Sequence, residues 1–363
     1  MIAISQRVRF CKARDDIRIA MATVGKGSPI VRAAHWFSHV ELDVRGPVWA
    51  HWSEELSREH MFVRYDQRGC GLSDWTLPSV SLDDWIEDLA AVVDSLGQER
   101  VSLFGMSQGA AVAIAYAARY PERVSHLILL GAYARGRLHR ELAPQHRDVA
   151  QTLVDVIRLG WGSDNAAFRQ LFTTMLIPEG TREQQQCLNE LARMSTSPAN
   201  AVTIRNALYR IDVVALAQTL QVPALVLHAK GDAFVEFNEG RYLASVIPSA
   251  RFVPLDSQNH VLLKTEPAWH RFVTEVRSFL APGSNRSRAS IGALNAAGLT
   301  PSEHEVLTFV ARGLDNHMIA AALRKREKTV RNQVSSIFSK LGVHTRAEAI
   351  VVARDAGLAG ASS

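Results

Sequence analysis

One stretch constrains this chain more than any other: Leu103-Phe104-Gly105-Met106-Ser107-Gln108-Gly109. It reads G-x-S-x-G. It lies between an apolar run, Val101 to Phe104, of the length of a buried strand, and a helix of mostly small residues, Ala110 to Arg119. A serine at the tip of so tight a strand-to-helix turn needs neighbours with almost no side chain, and Gly105 and Gly109 meet that need. Its hydroxyl then stands at a helix N-terminus, where free N–H groups favour negative charge. The pattern alone arises by chance. Seated between a strand and a helix, it points to a chain that alternates the two.

The neighbouring sequence keeps that alternation. Val8–Phe10 and Ile17–Thr23 read as strands joined around Arg14-Asp15-Asp16, and Ile30 to Ala34 and Met61 to Tyr65 as two more. The last of these opens into a glycine-rich turn, Asp66 to Ser73. Helices are expected from about Val48 to Glu59 and from Trp85 to Leu96; in the second, apolar residues recur at Trp85, Leu89, Val92, Val93 and Leu96. Leu127–Leu130, Ala224–His228 and Arg251–Leu255 are further strands, and Glu266–Leu280 the last helix of this region. Between about 134 and 212 strand signals stop, and short helical stretches punctuated by Gly160, Gly162, Pro178, Gly180 and Pro198 suggest a helical insertion. Such alternation implies a parallel α/β sheet.

A serine hydroxyl needs a base to take its proton and a third group to orient that base. Open α/β sheets place such groups at the C-terminal ends of their strands. Asp232 follows the strand ending near Leu227 and His260 the strand ending at Leu255. The expected roles are Ser107 as nucleophile, His260 as general base and acid, and Asp232 as orienting carboxylate. Asp256, His228 and His270 are weaker alternatives, being respectively on the histidine's own loop, on a strand and on the last helix. The backbone N–H of Gln108 is one expected oxyanion donor, and the loop after the strand ending near Ala34 should supply the other.

These residues resemble the α/β-hydrolase fold superfamily over about residues 8–281. The resemblance is carried by the elbow, the Asp66-Gln67-Arg68-Gly69-Cys70-Gly71-Leu72-Ser73 turn, Lys230-Gly231-Asp232 and His260. It implies that 134–212 form a helical cap over a pocket, where Trp161, Phe168, Phe172 and Tyr209 either line the pocket or fill the cap's own core. It also makes the Trp36 N–H the second oxyanion donor. Here the sequence departs from the pattern, since Ala34-His35 stands where many members carry His-Gly. A serine nucleophile suits ester, lactone, amide or C–C bond hydrolysis.

The end of the chain has a different character. Of 41 Lys+Arg and 36 Asp+Glu, 11 and 6 fall from Ser284 onward, so the whole net charge of +5 lies in the last 80 residues. On charge alone, a nucleic-acid-binding tail and a merely solubilising one are both open. Thr300-Pro301-Ser302-Glu303 is a helix start with a capping box, followed by Val306, Leu307 and Val310 as an apolar face and Gly313 as a stop. A second helix should span about Asn316 to Leu323. A third, about Lys328 to Leu341, turns Val330, Val334, Ile337, Phe338 and Leu341 inward. It leaves Lys328, Thr329, Arg331, Asn332, Ser335, Ser336, Ser339 and Lys340 outside, and short polar side chains between basic ends suit a major groove. A fourth helix starts at Thr345 to Glu348 and ends at Gly357.

These residues resemble the LuxR-type (GerE or FixJ type) helix-turn-helix over Leu299 to Leu358. The resemblance implies sequence-specific binding of double-stranded operator DNA through Lys328, Thr329, Arg331, Asn332, Ser335, Ser336 and Lys340, with the final helix pairing two chains. Lys325, where an apolar residue is usual, and Gln333, where histidine is frequent, are departures. The tract Arg324-Lys325-Arg326 adds charge for phosphate contacts.

The expected organisation is therefore an α/β-hydrolase domain over 1–283 with a cap about 134–212, a linker over 284–297 and an all-α helix-turn-helix domain over 298–363. Cys11, Cys70 and Cys187 are too few and too scattered for a disulfide framework or a metal site, and no metal or cofactor is expected. No apolar run approaches membrane-spanning length and the N-terminus lacks a signal segment, so a cytoplasmic protein without a membrane partner is expected. The expected function is a ligand-responsive transcriptional regulator: a homodimer that binds an operator and senses or slowly hydrolyses a small organic molecule, with RNA polymerase a further candidate partner. The alternatives are a serine hydrolase of esterase or lactonase type with a DNA-binding tail used for autoregulation, and an inert scaffold.

Overall fold

The computed structural model describes residues 5–140, 145–248, 250–281, 297–355 and 358. Of the expected linker only Ala297 falls within them, and the expected helix end at Gly357 falls outside. The chain divides into two compact units, residues 1–276 and 277–363.

The first unit holds strands β1 (Arg7–Lys12), β2 (Arg18–Val24), β3 (Pro29–Arg32), β4 (Met61–Tyr65), β5 (Val101–Met106), β6 (Val124–Leu130), β7 (Ala224–Ala229) and β8 (Ala250–Leu255). They form one sheet in the order β1-β2-β4-β3-β5-β6-β7-β8. From β4 to β8 every pairing is parallel, while β1 with β2 and β2 with β4 are antiparallel. The antiparallel start follows from the turn at Arg14-Asp15-Asp16, because parallel neighbours need a crossover far longer than three residues. Strands β3, β5 and β7 are buried at every position, which is why they read as continuous apolar runs rather than alternating ones. At the far edge, β8 carries Pro254 exposed, where the missing N–H costs no ladder bond.

The helices of this unit are α1 (Val40–Asp43), α2 (Ala50–Leu56), α3 (Leu82–Ser95), α4 (Gln108–Arg119), α5 (Gln145–Gly160), α6 (Ala167–Leu176), α7 (Arg182–Ser195), α8 (Pro198–Tyr209), α9 (Val214–Gln218), α10 (Phe237–Val246) and α11 (Pro267–Leu280). Helix α3 opens on a Ser81/Asp84 capping box and buries Trp85, Leu89, Val92 and Val93, each worth about 1.5–3 kcal/mol of apolar burial. Helix α4 is buried from Gln108 to Ala117; its alanines let it lie close on the sheet. Helices α5 to α8 fill the insertion between β6 and β7. Helix α10 packs Gly240 against His228 of β7. Gly240 is needed there because a Cβ would fall 2.2 Å from His228 Nδ1. No helix among the described residues is long and apolar enough to cross a membrane.

The second unit contains α12 (Pro301–Ala311), α13 (Asn316–Leu323), α14 (Glu327–Leu341) and α15 (Arg346–Asp355). Val306, Leu307, Val310, Ile319, Val330, Val334, Ile337, Ala349 and Ala353 form one buried core, with Phe338 and Leu341 packed at its margin.

Candidate functional site

Ser107 ends β5 and begins α4 at φ 51°, ψ −121°, a conformation side chains rarely adopt. Packing holds it there. Its N–H donates to the Leu130 carbonyl at 3.1 Å. A Cβ on Gly105 would lie 2.5 Å from Ala110 Cα, and one on Gly109 2.5 Å from the Ala33 carbonyl oxygen, so only glycines let α4 close onto the elbow.

Asp232 and His260 come together from the ends of β7 and β8. His260 Nδ1 donates to Asp232 Oδ2 at 2.6 Å, while Asp232 Oδ1 accepts the Phe234 and Val235 N–H groups, both at 2.9 Å. The carboxylate is thereby fixed and occupies Nδ1, which leaves Nε2 for another partner. That Nε2 is buried, has no hydrogen-bond partner among the described residues, and belongs to a side chain lining the same cavity as Ser107. Ser107 Oγ is not hydrogen-bonded to it. Among the alternatives, Asp256 pairs with Lys230 at 2.9 Å with its side chain 86% exposed. His270 is exposed on α11. His228 is buried, which holds its pKa below the ordinary value, and its Nε2 donates to the Val235 carbonyl.

Sequence reasoning missed two supports. Gly131, just after β6, has φ +53°, and a Cβ there would lie 2.7 Å from His260 Cε1, so the imidazole occupies the room a side chain would take. A glycine directly after the Leu127–Leu130 strand was the available signal. Gln67 is the second. Its Nε2 donates to the Trp36 carbonyl at 3.2 Å, and its Oε1 accepts from Gln108 Nε2 at 2.7 Å. The Asp66–Ser73 turn thus holds the loop of one expected oxyanion donor to the side chain of the other. Neither the Trp36 nor the Gln108 N–H is used in a backbone hydrogen bond among the described residues.

Two chambers meet at the serine. One, of about 430 Å³ counting the part open to solvent, is lined by Tyr133, Arg137, Arg140, Arg205 and Tyr209. The other, of about 350 Å³ on the same basis, is lined by His35, Phe37, Met106, Leu176, Leu188 and His260. Trp36, Ser107 and Phe234 line both. Tyr209 therefore faces a chamber. Trp161 and Phe172 are buried with their rings against Trp36, and Phe168 lies 36% exposed. The insertion also touches the histidine loop, since the Leu176 carbonyl at the end of α6 accepts the N–H groups of His260 and Val261.

In the second unit, Lys328, Thr329, Arg331, Asn332 and Ser335 are exposed on α14. Ser336 and Lys340 are engaged elsewhere: both donate at 2.7 Å to the carboxylate of Glu303, the residue that completes the Thr300 capping box of α12. The departures at Lys325 and Gln333 account for one another, because Lys325 Nζ and Gln333 Nε2 reach the same Ser302 Oγ at 2.8 and 2.7 Å.

A family model described as the alpha/beta hydrolase fold matches residues 43–267. The chain belongs to the alpha/beta hydrolase family. A second model, described as bacterial regulatory proteins of the luxR family, matches residues 297–353, so this hydrolase-fold chain also carries a LuxR-family helix-turn-helix domain. Similar curated proteins include the AB hydrolase superfamily protein YisY of Bacillus subtilis, 25% identical over 283 residues, covering 76% of this chain and 98% of that protein. The putative carbamate hydrolase RutD of Pseudomonas savastanoi pv. phaseolicola is 27% identical over 226 residues, covering 60% and 83%. Among solved structures, an esterase from Exiguobacterium antarcticum superposes with a TM-score of 0.65 at 21% identity, covering 75% of this chain and 99% of its own. That likeness shows the fold.

As an alpha/beta hydrolase the chain is unusual at Ala34-His35. The His35 ring stacks on Trp49 at 4.8 Å with 19° between planes, and burial pushes its pKa down to about 3. It is a neutral filler of the loop.

Proposed function

We propose that this chain is a transcriptional regulator whose hydrolase-fold pocket binds, and slowly hydrolyses, a small organic ligand. A homodimer paired through α15 binds operator DNA, with α14 in the major groove. The observation that carries the reading is the union, in one chain, of an alpha/beta hydrolase with a LuxR-family helix-turn-helix. Lys328, Thr329, Arg331, Asn332 and Ser335 are the base and phosphate contacts on the exposed face of α14. Ser336 and Lys340 join them on exchanging their bonds to Glu303. Selection of bound sequences from a random duplex pool at physiological salt tests this: a defined dyad motif is expected, and equal retention of all duplexes overturns it.

A second reading, a serine hydrolase with an autoregulatory tail, is favoured by one geometry: the 2.6 Å Asp232–His260 hydrogen bond beside a serine held at positive φ. In hydrolysis Ser107 attacks a carbonyl, His260 Nε2 takes its proton and returns it to the leaving group, and the Trp36 and Gln108 N–H groups hold the oxyanion; a water that gives its proton to His260 then attacks the acyl carbon, releasing the acid as the proton returns to Ser107. Turnover of p-nitrophenyl esters, abolished by Ser107→Ala, supports the chemistry. Absence of both turnover and fluorophosphonate labelling removes it.

A further inference from the structure

We propose that the arginine-lined chamber beside Ser107 binds the carboxylate of an organic acid whose apolar body lies in the adjoining chamber. This rests on the reading of that pocket as the ligand site and names the ligand's chemical class.

The argument starts from Arg205 on α8. It is 6% exposed and has no acidic partner among the described residues. A buried guanidinium without a counter-charge is costly. Four rings moderate that cost: its carbon lies 4.6 Å from the Trp36 ring, 4.8 Å from Tyr209, 5.3 Å from Phe234 and 5.8 Å from Phe172. Rings offer a guanidinium no lone pair, so they leave unmet the N–H donors that a carboxylate accepts in pairs. One donor is used, Nε to Tyr209 Oη at 2.9 Å. The terminal nitrogens make no hydrogen bond to a described residue.

Two more arginines line the same space. Arg140 stands 3.7 Å from Glu239, a carboxylate it shares with Arg135 at 3.1 Å. Arg137 has no ion pair among the described residues. Burial, then the charges of Arg140 and Arg205, hold its pKa below the ordinary value, against the opposing influence of Tyr209 and Glu236. Three guanidinium groups share one small chamber with less than a matching set of acids among the described residues. An anion entering it gains bidentate bonds and relieves the repulsion between them.

The second chamber gives the other end. Its walls are Phe37, Met106, Leu176, Leu188 and Val261 with the neutral His35, which offer an apolar body much surface and few polar partners. Because Trp36, Ser107 and Phe234 line both chambers, a ligand filling both passes directly over Ser107.

The test uses the full chain and two matched pairs, 4-phenylbutyrate and 6-phenylhexanoate against their primary amides. Two readouts are followed: thermal melting, and protection of Ser107 from a neutral fluorophosphonate. The acids are expected to raise the melting temperature and slow labelling, and the amides to do neither. Arg205→Met should weaken the acids' apparent Kd by about tenfold or more. Arg137→Gln, at a less buried position, should weaken it in the same direction should the first variant fail to fold. Equal effects of acid and amide, or no effect of either, overturn the proposal. Melting that responds to acids alone in a wild-type chain whose Ser107 does not label upholds the anion chamber and removes the reactive serine. Labelling without discrimination does the reverse.

Discussion

Replacing Gly131 by alanine, with Gly97→Ala as its partner, separates backbone strain from the assembly of the site. Both glycines have positive φ, +53° and +64°, so each substitution carries about 1–2 kcal/mol of left-handed strain, which should lower the melting temperature by a few degrees. They differ in what the new methyl meets. At Gly97 nothing lies within 4 Å. At Gly131 the Cβ would be 2.7 Å from His260 Cε1, 2.9 Å from Nδ1 and 3.4 Å from Asp232 Oδ2. Relief to ordinary contact near 3.5–4.0 Å moves the imidazole by about 1 Å. A displacement of that size costs on the order of 100-fold in a positioned reaction. The assay is the rate of Ser107 labelling by a fluorophosphonate, read beside thermal melting. Gly97→Ala should melt lower and label at the wild-type rate; Gly131→Ala should melt lower still, through the added overpacking, and label about 100-fold more slowly. Equal labelling rates in the two variants would refute the reasoning, because the imidazole's place would then not depend on the missing side chain.

Three further substitutions probe the remaining supports. Gln67→Leu should slow Ser107 turnover about tenfold, since it frees the Trp36 carbonyl and Gln108 Nε2 in a buried setting at about 1–3 kcal/mol; an unchanged kcat would show that the Trp36 loop and Gln108 keep their places without it. Arg331→Ala should weaken operator binding and lower the salt slope by about one, while Lys340→Ala should do the same and in addition lower the melting temperature of the helix-turn-helix unit; filter binding over a salt series with parallel melting checks both. Glu303, held down to about 2 by Lys340, then by Ser336 and the Thr300 N–H, contributes stability that is complete above the ordinary glutamate value of 4.5 and is lost as pH falls through about 2. Glu303→Gln should remove that acid-side loss, and an unchanged melting profile between pH 5 and 2 would count against the ion pair.

Legibility followed the range of the interactions involved. The elbow and the strand ends at Asp232 and His260 were readable because local sequence alone creates them: an apolar run, a tight turn, a polar residue just past it. The capping boxes at Ser81 and Thr300 are of the same local kind. The antiparallel edge was masked because β2 is apolar enough to pass for a parallel strand, and only the brevity of the Arg14–Asp16 turn betrays its pairing. Gly131 and Gln67 lay beyond reach for a different reason. Each acts through a residue far along the chain, 129 positions away for the glycine and 31 for Gln67 with Trp36, and a single sequence holds no record of such meetings. The outward face of α14 was predicted from helical phase, which cannot tell a side chain left in solvent from one folded onto Glu303. Ser336 and Lys340 are the two that fold onto Glu303.

Sensing and hydrolysis place different demands on the same groups, and that difference makes them separable. Hydrolysis needs a carbonyl over Ser107. A switch needs a ligand that prefers one conformer, and moving a two-state equilibrium from 1:99 to 99:1 takes about 5.5 kcal/mol of preference. Charge-assisted hydrogen bonds of about 1.5–3 kcal/mol each reach that figure with about two to four bonds, provided they form in one conformer alone. Arg205 suits such a role better than Ser107 does. It sits on the inserted helix α8 and stacks on Trp36, while the end of α6 holds the His260 loop through the Leu176 carbonyl. An anion that draws Arg205 therefore bears on the insertion and on the site together. Ser107→Ala is expected to abolish turnover and keep the ligand's effect on operator affinity; Arg205→Met should lose that effect even where Ser107 still labels. If Ser107→Ala also silences the response, hydrolysis itself is the signal, and the arginine chamber serves only to orient the ligand for it.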